Sequence, residues 1–353
     1  MTDGRRRSTG GAPDERPLEA PHRRGGSSPR VVERLAVVAY KATTRLADVV
    51  PEGIAREVVG TAVQGSYLVW PSKRRWSNRN FGHVLGLPPD DPRVRRLALR
   101  AYHEYGRYLV ELMRLPTRTV DEMSAMVPYI DVDELHRIAA SARGGVIYTV
   151  GHVGSNDAVM AAIARHGMPI SVVADDSSFP ELFEHLRAER ELRGATVIAW
   201  RNLREIFGVL RRREMLALLV DWGYRADGIP VHLFDAWTTL PAGPATLAAR
   251  TGSLILPVTI RRQPDDTFKL SWAEPIEVTS SDPAAIQRAT QEIADALEVT
   301  IGAAPEQWYN FKPIWPATPE ESDELERRAR VMQAGHPDPG PGTAADPEPG
   351  AAG

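Results

Sequence analysis

The chain has 353 residues, 42% of them hydrophobic and 25% charged, enough apolar content for one large domain or two modest ones. With Lys+Arg 43 against Asp+Glu 46, the formal net charge of -3 excludes the global basicity of a nucleic-acid binder and leaves only local patches to attract an anionic surface. Cysteine is absent, which excludes disulfides, thiolate metal sites and a cysteine nucleophile and fits a reducing compartment, so catalysis has to run on oxygen and nitrogen groups.

Residues 1–30 are rich in Arg, Gly, Ser and Pro and are expected to be a disordered basic tail. The N-terminal residues show no apolar core of a signal peptide and no stretch reaches the roughly 18 apolar residues that a spanning helix requires, so no transmembrane segment is expected. Residues 31–120 read as a helical, membrane-associating region. Apolar residues at helical spacing, Val32, Leu35, Val38 and Ala39, then Ile54, Val58, Val59 and Val63, predict a helical hairpin interrupted at Pro51. A basic segment follows, Lys73, Arg74, Arg75 and Arg79 with Trp70 and Trp76 among them. It reads equally as a headgroup-level membrane contact or as a solvated loop beside core tryptophans. A further helix is predicted from about Pro92 to Met113.

Residues 121–316 carry the α/β pattern. Short β-rich runs, Val146 to Val150, Ile170 to Ala174, Thr196 to Ala199 and Leu216 to Val220, alternate with amphipathic stretches. That alternation predicts an α/β fold with a central, mostly parallel sheet flanked by helices and preceded by N-terminal amphipathic helices. Ser253 to Ile260 and Thr267 to Trp272, joined by Pro264-Asp265-Asp266, predict an antiparallel hairpin, and a helix is expected from about Pro283 to Thr300. Residues 317–353 are expected to hold a short C-terminal helix and then, from about Gly335, a disordered tail.

The chemistry centres on Gly151-His152-Val153-Gly154-Ser155-Asn156-Asp157, where the first strand gives way to a helix. Active sites in open α/β sheets gather at the carboxyl ends of strands. Ser155 or Asn156 can cap the helix, and backbone donors near Gly154 and Ser155 are candidates to meet an oxyanion. Residues five apart on one helix lie about 140° apart, so His152 has to sit in the loop if Asp157 is to reach its imidazole. A carboxylate on one ring nitrogen would fix the tautomer and leave the other nitrogen to take a proton from an alcohol. With His 9 in the chain the spacing recurs by chance, and a structural loop histidine is the competing reading. A basic run, Arg201, Arg204, Arg211, Arg212 and Arg213, reads as a solvated helix face or a contact to anionic lipid. No phosphate loop or metal cluster is visible, and no resident cofactor or metal is expected.

From Val31 to Trp315 the chain resembles bacterial acyltransferases of the late lipid A type, and most of all their phosphatidylinositol mannoside acyltransferase branch. The resemblance rests on Arg79-Asn80-Phe81-Gly82-His83-Val84-Leu85-Gly86, on His152 through Asp157 as the family's HX4D motif, and on Pro180-Glu181-Leu182-Phe183 leading to Arg190 and Gly194. Asp221, Gly228-Ile229-Pro230-Val231, Leu233-Phe234 and Pro241-Ala242-Gly243-Pro244-Ala245 continue it, and Pro305-Glu306-Gln307-Trp308 closes it.

The resemblance implies O-acyl transfer from acyl-CoA or an acyl carrier protein to a membrane glycolipid, by a peripheral enzyme on an anionic surface at the cytoplasmic face of the plasma membrane. It implies His152 as general base and Asp157 as its orienting acid. Arg190 would take a substrate phosphate, with a helix-surface ion pair as the other reading. Asp221 would be an acid behind the site or a substrate hydrogen-bonder, with a structural cap as the other reading. The family's usual Gln or Arg-Asp after that acid is replaced by Trp222-Gly223. That departure keeps two further readings open, a late lipid A type acceptor and a lipid-binding relative without turnover.

Overall fold

The computed structural model describes residues 49–174 and 180–341. The first half of the expected helical hairpin and the expected N-terminal tail lie outside those residues. Helix α1 (Glu52–Val69) begins just after Pro51, as predicted, and is followed by α2 (Pro71–Leu85) and α3 (Pro92–Arg114). The basic segment is therefore a helix and not a loop. Pro71 stands at its first position, where no intrahelical N–H bond is lost, and Gly86 ends it in the left-handed conformation at φ 60°.

Short helices α4 (Val120–Ala125) and α5 (Val132–Ser141) lead into the sheet. Its parallel part alternates strand and helix: β1 (Val146–Val150), α6 (Asn156–Arg165), β2 (Ile170–Ala174), α7 (Pro180–Glu191), β3 (Ala195–Ala199), α8 (Leu203–Arg211) and β4 (Met215–Leu219). A separate hairpin, β5 (Ile229–Leu233) and β6 (Ala236–Leu240), precedes α9 (Gly243–Thr251). Its turn residues, Phe234 and Asp235, both have positive φ, a position usually marked by Asn-Gly or Asp-Gly; without that mark the hairpin was not legible. The chain then forms β7 (Leu254–Arg262), β8 (Phe268–Trp272), β9 (Ile276–Glu277), α10 (Pro283–Ala303) and α11 (Pro319–Gln333).

The main sheet has seven strands in the order β3-β2-β4-β1-β7-β8, with β9 also paired to β7. Strands β1 to β4 and β7 run parallel, and β8 and β9 run antiparallel to β7, so the expected fold class is observed. Every residue of β1 is buried, as befits a central strand covered on both faces. Ile147 joins a core with Phe81, Leu97, Ile293 and Trp308, whereas Tyr148 and Val150 join a second core with Leu135, Ala158, Ile163 and Phe268. The strand's two-residue period thus divides the molecule into two apolar layers.

The basic run around α8 is less uniform than a solvated face. Arg213 leaves the helix at φ 62° and donates to the Ala142 carbonyl at 2.7 Å, and Arg212 pairs with Glu205 and Glu214. At the C-terminal end, Asp338 was expected in a disordered tail but accepts the Arg328 Nε–H at 2.7 Å.

Candidate active site

Strands β1 and β4 are neighbours in parallel register, with Val150 opposite Leu219 and the Val220 N–H bonded to the Val150 carbonyl at 3.1 Å. His152 and Asp221 each stand two residues beyond that registered pair. Leaving adjacent strands at the same level, they meet at the carboxyl edge of the sheet, where α/β proteins gather their chemistry.

The loop at His152 is fixed by backbone bonds. Gly154 adopts φ +65°, and a Cβ there would come within 2.5 Å of the Ile260 carbonyl oxygen, so only glycine makes this turn beside β7. The Tyr309 N–H donates to the His152 carbonyl at 2.8 Å, and Val153 forms an antiparallel bridge to Trp308. Ser155 caps α6, its hydroxyl accepting the Ala158 N–H. The Gly154 N–H donates to the Gln307 carbonyl at 3.4 Å, which removes it from the expected set of oxyanion donors. The Ser155 hydroxyl only accepts in its capping role, which leaves its O–H able to donate.

Asp221 is buried, and its carboxylate is fully engaged. Oδ1 accepts from His152 Nδ1 at 2.6 Å, while Oδ2 accepts the His152 backbone N–H at 2.9 Å and the Trp308 Nε1–H at 2.8 Å. Asn310 donates to the Asp221 carbonyl. Burial opposes charge on Asp221, but the His152 charge and these bonds outweigh it and hold the carboxyl below its ordinary range. Burial likewise opposes an imidazolium at His152, and the Asp221 charge and hydrogen bond outweigh it; the His152 pKa lies above its usual value, with Lys312 pulling in the opposite sense.

The carboxylate bonded to the imidazole is thus Asp221, and the expectation of an Asp157–His152 bond is corrected. Asp157, in the first turn of α6, accepts Arg190 Nε–H from α7 at 2.8 Å. Arg190 is therefore engaged with a buried carboxylate rather than with a surface glutamate. The motif's spacing could not distinguish the two arrangements, because the competing acid lies 69 positions away along the chain. With Nδ1 held by Asp221, Nε2 is the nitrogen left to accept a proton.

His152, Trp222 and Arg190 border a cavity of about 280 Å³ whose walls are otherwise mostly apolar. It runs between the sheet and α6, past Val150, Val172, Ala217 and Val258 on the strands and Met160 and Ile163 on the helix. Tyr108 of α3 closes one side, its hydroxyl kept strongly protonated by burial and by the nearby Asp157 charge. Among the described residues, no group of three His, Asp or Glu is arranged to hold a metal ion.

Trp308, Asn310 and Tyr108 were not assigned a role from the sequence. The available signal for the first was its place in the closing Pro305-Glu306-Gln307-Trp308 segment, where the indole N–H is a donor-only group able to bond a buried carboxylate.

Residues 27–316 match the family described as bacterial lipid A biosynthesis acyltransferase. The phosphatidylinositol mannoside acyltransferase of Mycolicibacterium smegmatis is 30% identical over 300 residues, covering 83% of this chain and 94% of that protein. The protein of the same name from Mycobacterium tuberculosis is 29% identical over 302 residues, covering 83% of this chain and 92% of its own length.

Proposed function

Because the chain belongs to the bacterial lipid A biosynthesis acyltransferase family, we propose that it moves a fatty acyl group from an acyl thioester to a hydroxyl of a phosphatidylinositol mannoside or a closely related glycolipid. The observation that carries this reading is His152, held by Asp221 at 2.6 Å, at the edge of a 280 Å³ apolar cavity. A base beside an acyl-sized apolar slot is what O-acyl transfer requires.

In this mechanism the acyl chain lies in the cavity and presents the thioester carbonyl at its mouth. His152 Nε2 takes the proton of the acceptor hydroxyl as its oxygen attacks the carbonyl carbon. Asp221 stabilises the imidazolium so formed. The tetrahedral oxyanion is met by unbonded N–H groups in the first turn of α6, where the helix dipole also favours negative charge. Collapse breaks the carbon–sulfur bond, and the departing thiolate takes the proton back from His152. Asp157 and Arg190 act as a pair: Arg190 draws the α6 and α7 ends together beside the cavity, and Asp157 keeps the guanidinium in place to approach a substrate phosphate.

The donor is acyl-CoA or an acyl carrier protein, and the enzyme works as a peripheral protein at the cytoplasmic face of the plasma membrane. No described helix is long and apolar enough to cross a membrane. Ile54, Val58, Leu68, Val69 and Trp70 are exposed along and just beyond α1, next to Lys73, Arg74 and Arg75 of α2. An apolar stripe beside cations is suited to an anionic bilayer surface.

The test is transfer of label from acyl-CoA to purified mannosylated phosphatidylinositol, compared with His152→Ala. Loss of transfer in the variant supports the reading. Equal transfer by both proteins removes His152 as the base, and transfer only to an acylated glucosamine disaccharide shifts the acceptor to the lipid A type.

A further inference from the structure

Trp222 follows the buried Asp221 yet is 47% exposed. Its ring meets the His152 imidazole edge to face, with centroids 5.6 Å apart and planes at 87°. Lys312 Nζ lies 4.8 Å from the centroid of the same ring. The indole, which lines the cavity together with His152, thus joins the imidazole to the ammonium in one continuous lip.

The backbone on both sides of this lip is fixed. Gly223 has φ +117°, a conformation that side-chain-bearing residues avoid, and a Cβ there would lie 3.2 Å from the Pro313 carbonyl oxygen and 3.8 Å from Lys312 Cβ. The Tyr224 N–H donates to the Pro313 carbonyl at 2.8 Å. Buried Asn80 of α2 donates to the carbonyls of Asn310 at 3.1 Å and Lys312 at 2.7 Å. Trp222-Gly223 is therefore a built arrangement: the glycine lets the two segments close, and the tryptophan supplies the platform under the lysine.

The ammonium itself has no carboxylate partner among the described residues and rests on the Trp222 ring. It is near enough for its charge to bear on the His152 imidazole. A cation stationed on an aromatic face beside the base, with no carboxylate paired to it among the described residues, is arranged to receive an anion from outside.

We propose that Lys312, seated on Trp222, binds a phosphate group of an incoming substrate and so registers the reacting atoms against His152. This inference rests on the acyl-transfer reading above. The phosphate belongs either to the phosphopantetheine side of the donor or to the phosphodiester of the acceptor. When it arrives it neutralises a cation that opposes proton uptake by His152, so the base strengthens as the substrate seats.

Direct binding to the full chain separates the sources and does not depend on turnover. Coenzyme A and glycerophosphoinositol are titrated calorimetrically into wild type, Lys312→Gln, Lys312→Arg and Trp222→Leu, with pantetheine and myo-inositol as their phosphate-free counterparts. One phosphate ligand is expected to bind Lys312→Gln about tenfold more weakly, the effect of one charge-assisted contact at a half-exposed site. Lys312→Arg restores it, Trp222→Leu weakens it, and the matching phosphate-free ligand is indifferent to all three. Wild type and Lys312→Gln binding both phosphate ligands alike, or neither, overturns the proposal. So does an equal loss for the phosphate-free ligands. Acyl transfer by the wild type, assayed in parallel, reports separately on the functional reading.

Discussion

Asp221 holds Nδ1 of His152 at 2.6 Å from a neighbouring parallel strand, although the two residues are 69 positions apart in the chain. The carboxylate nearest His152 in sequence, Asp157, is turned to Arg190 instead. The two acids therefore carry different consequences when each is changed.

Asp221→Asn is expected to lower kcat by about 10²- to 10⁴-fold, the usual worth of an oriented general base. Asp157→Asn leaves the imidazole bond intact and should act mainly on KM, through the released Arg190. Steady-state kinetics of the two variants check this, and an Asp157 effect on kcat as large as that of Asp221 would restore Asp157 to the role of orienting acid.

The pH profile follows from the same pair. His152 must be neutral to accept a proton, and its pKa lies above the ordinary 6.5 because Asp221 outweighs burial. Activity in kcat/KM is therefore expected to rise with pH through a value above 6.5. In Asp221→Asn the stabilising charge is gone while burial and Lys312 still oppose the imidazolium, so the residual activity should rise at lower pH. A profile that moves upward, or does not move, contradicts this.

Trp308→Phe keeps an aromatic ring against Phe81 and Trp315 but removes the donor to Asp221 Oδ2. Asp221 Oδ2 keeps the His152 N–H, so the loss is that of one hydrogen bond to a charged group, about 1.5–3 kcal/mol. Urea unfolding should show a lower midpoint at nearly unchanged slope. No shift in the midpoint would mean that the indole bond contributes nothing to the fold.

Ala217 faces the cavity from β4, opposite the α6 residues Met160 and Ile163. Ala217→Phe is expected to fill part of the 280 Å³ and move donor preference to shorter acyl chains, at an overpacking cost of about 1–3 kcal/mol. Competition between long- and short-chain acyl-CoA measures it. An unchanged preference would place the acyl chain elsewhere.

Arg262 of β7 grips Glu111 of α3 through two bonds, at 2.5 and 2.8 Å, with both side chains 3% exposed. Glu111→Ala takes the bidentate partner from Arg262, which keeps Glu104 at 3.6 Å and Asp266 at 3.8 Å, and also removes a carboxylate 3.0 Å from Arg56. It should cost about 3 kcal/mol, and the double change Glu111→Leu with Arg262→Met should recover part of the loss. Equilibrium denaturation of the three proteins tests this, and equal instability of the single and double variants would refute it.

Local order was legible wherever it is written locally. The strand runs at Val146, Ile170, Thr196 and Leu216 and the Ser253–Trp272 hairpin carry their period and turn residues within a few positions, so their places, the parallel sheet and the loop location of His152 follow from sequence. The basic stretch from Lys73 to Arg79 was less legible as a helix, because its cations satisfy no apolar period strong enough to declare one; it is held by buried Phe81 and Asn80 against the rest of the protein.

Sequence by itself determined the fold class and the place of His152 at a strand end, and it named His152, Asp157, Arg190 and Asp221 as candidates, but not Tyr108, Trp308 or Asn310. Tertiary structure alone decided which acid holds the His152 imidazole. The register of β1 against β4 brings Asp221 level with His152, while the first turn of α6 carries Asp157 round to Arg190. Spacing along a chain measures how far a side chain could reach, but strand register fixes which carboxylate is within 2.6 Å of the imidazole, and that is set by packing across the sheet.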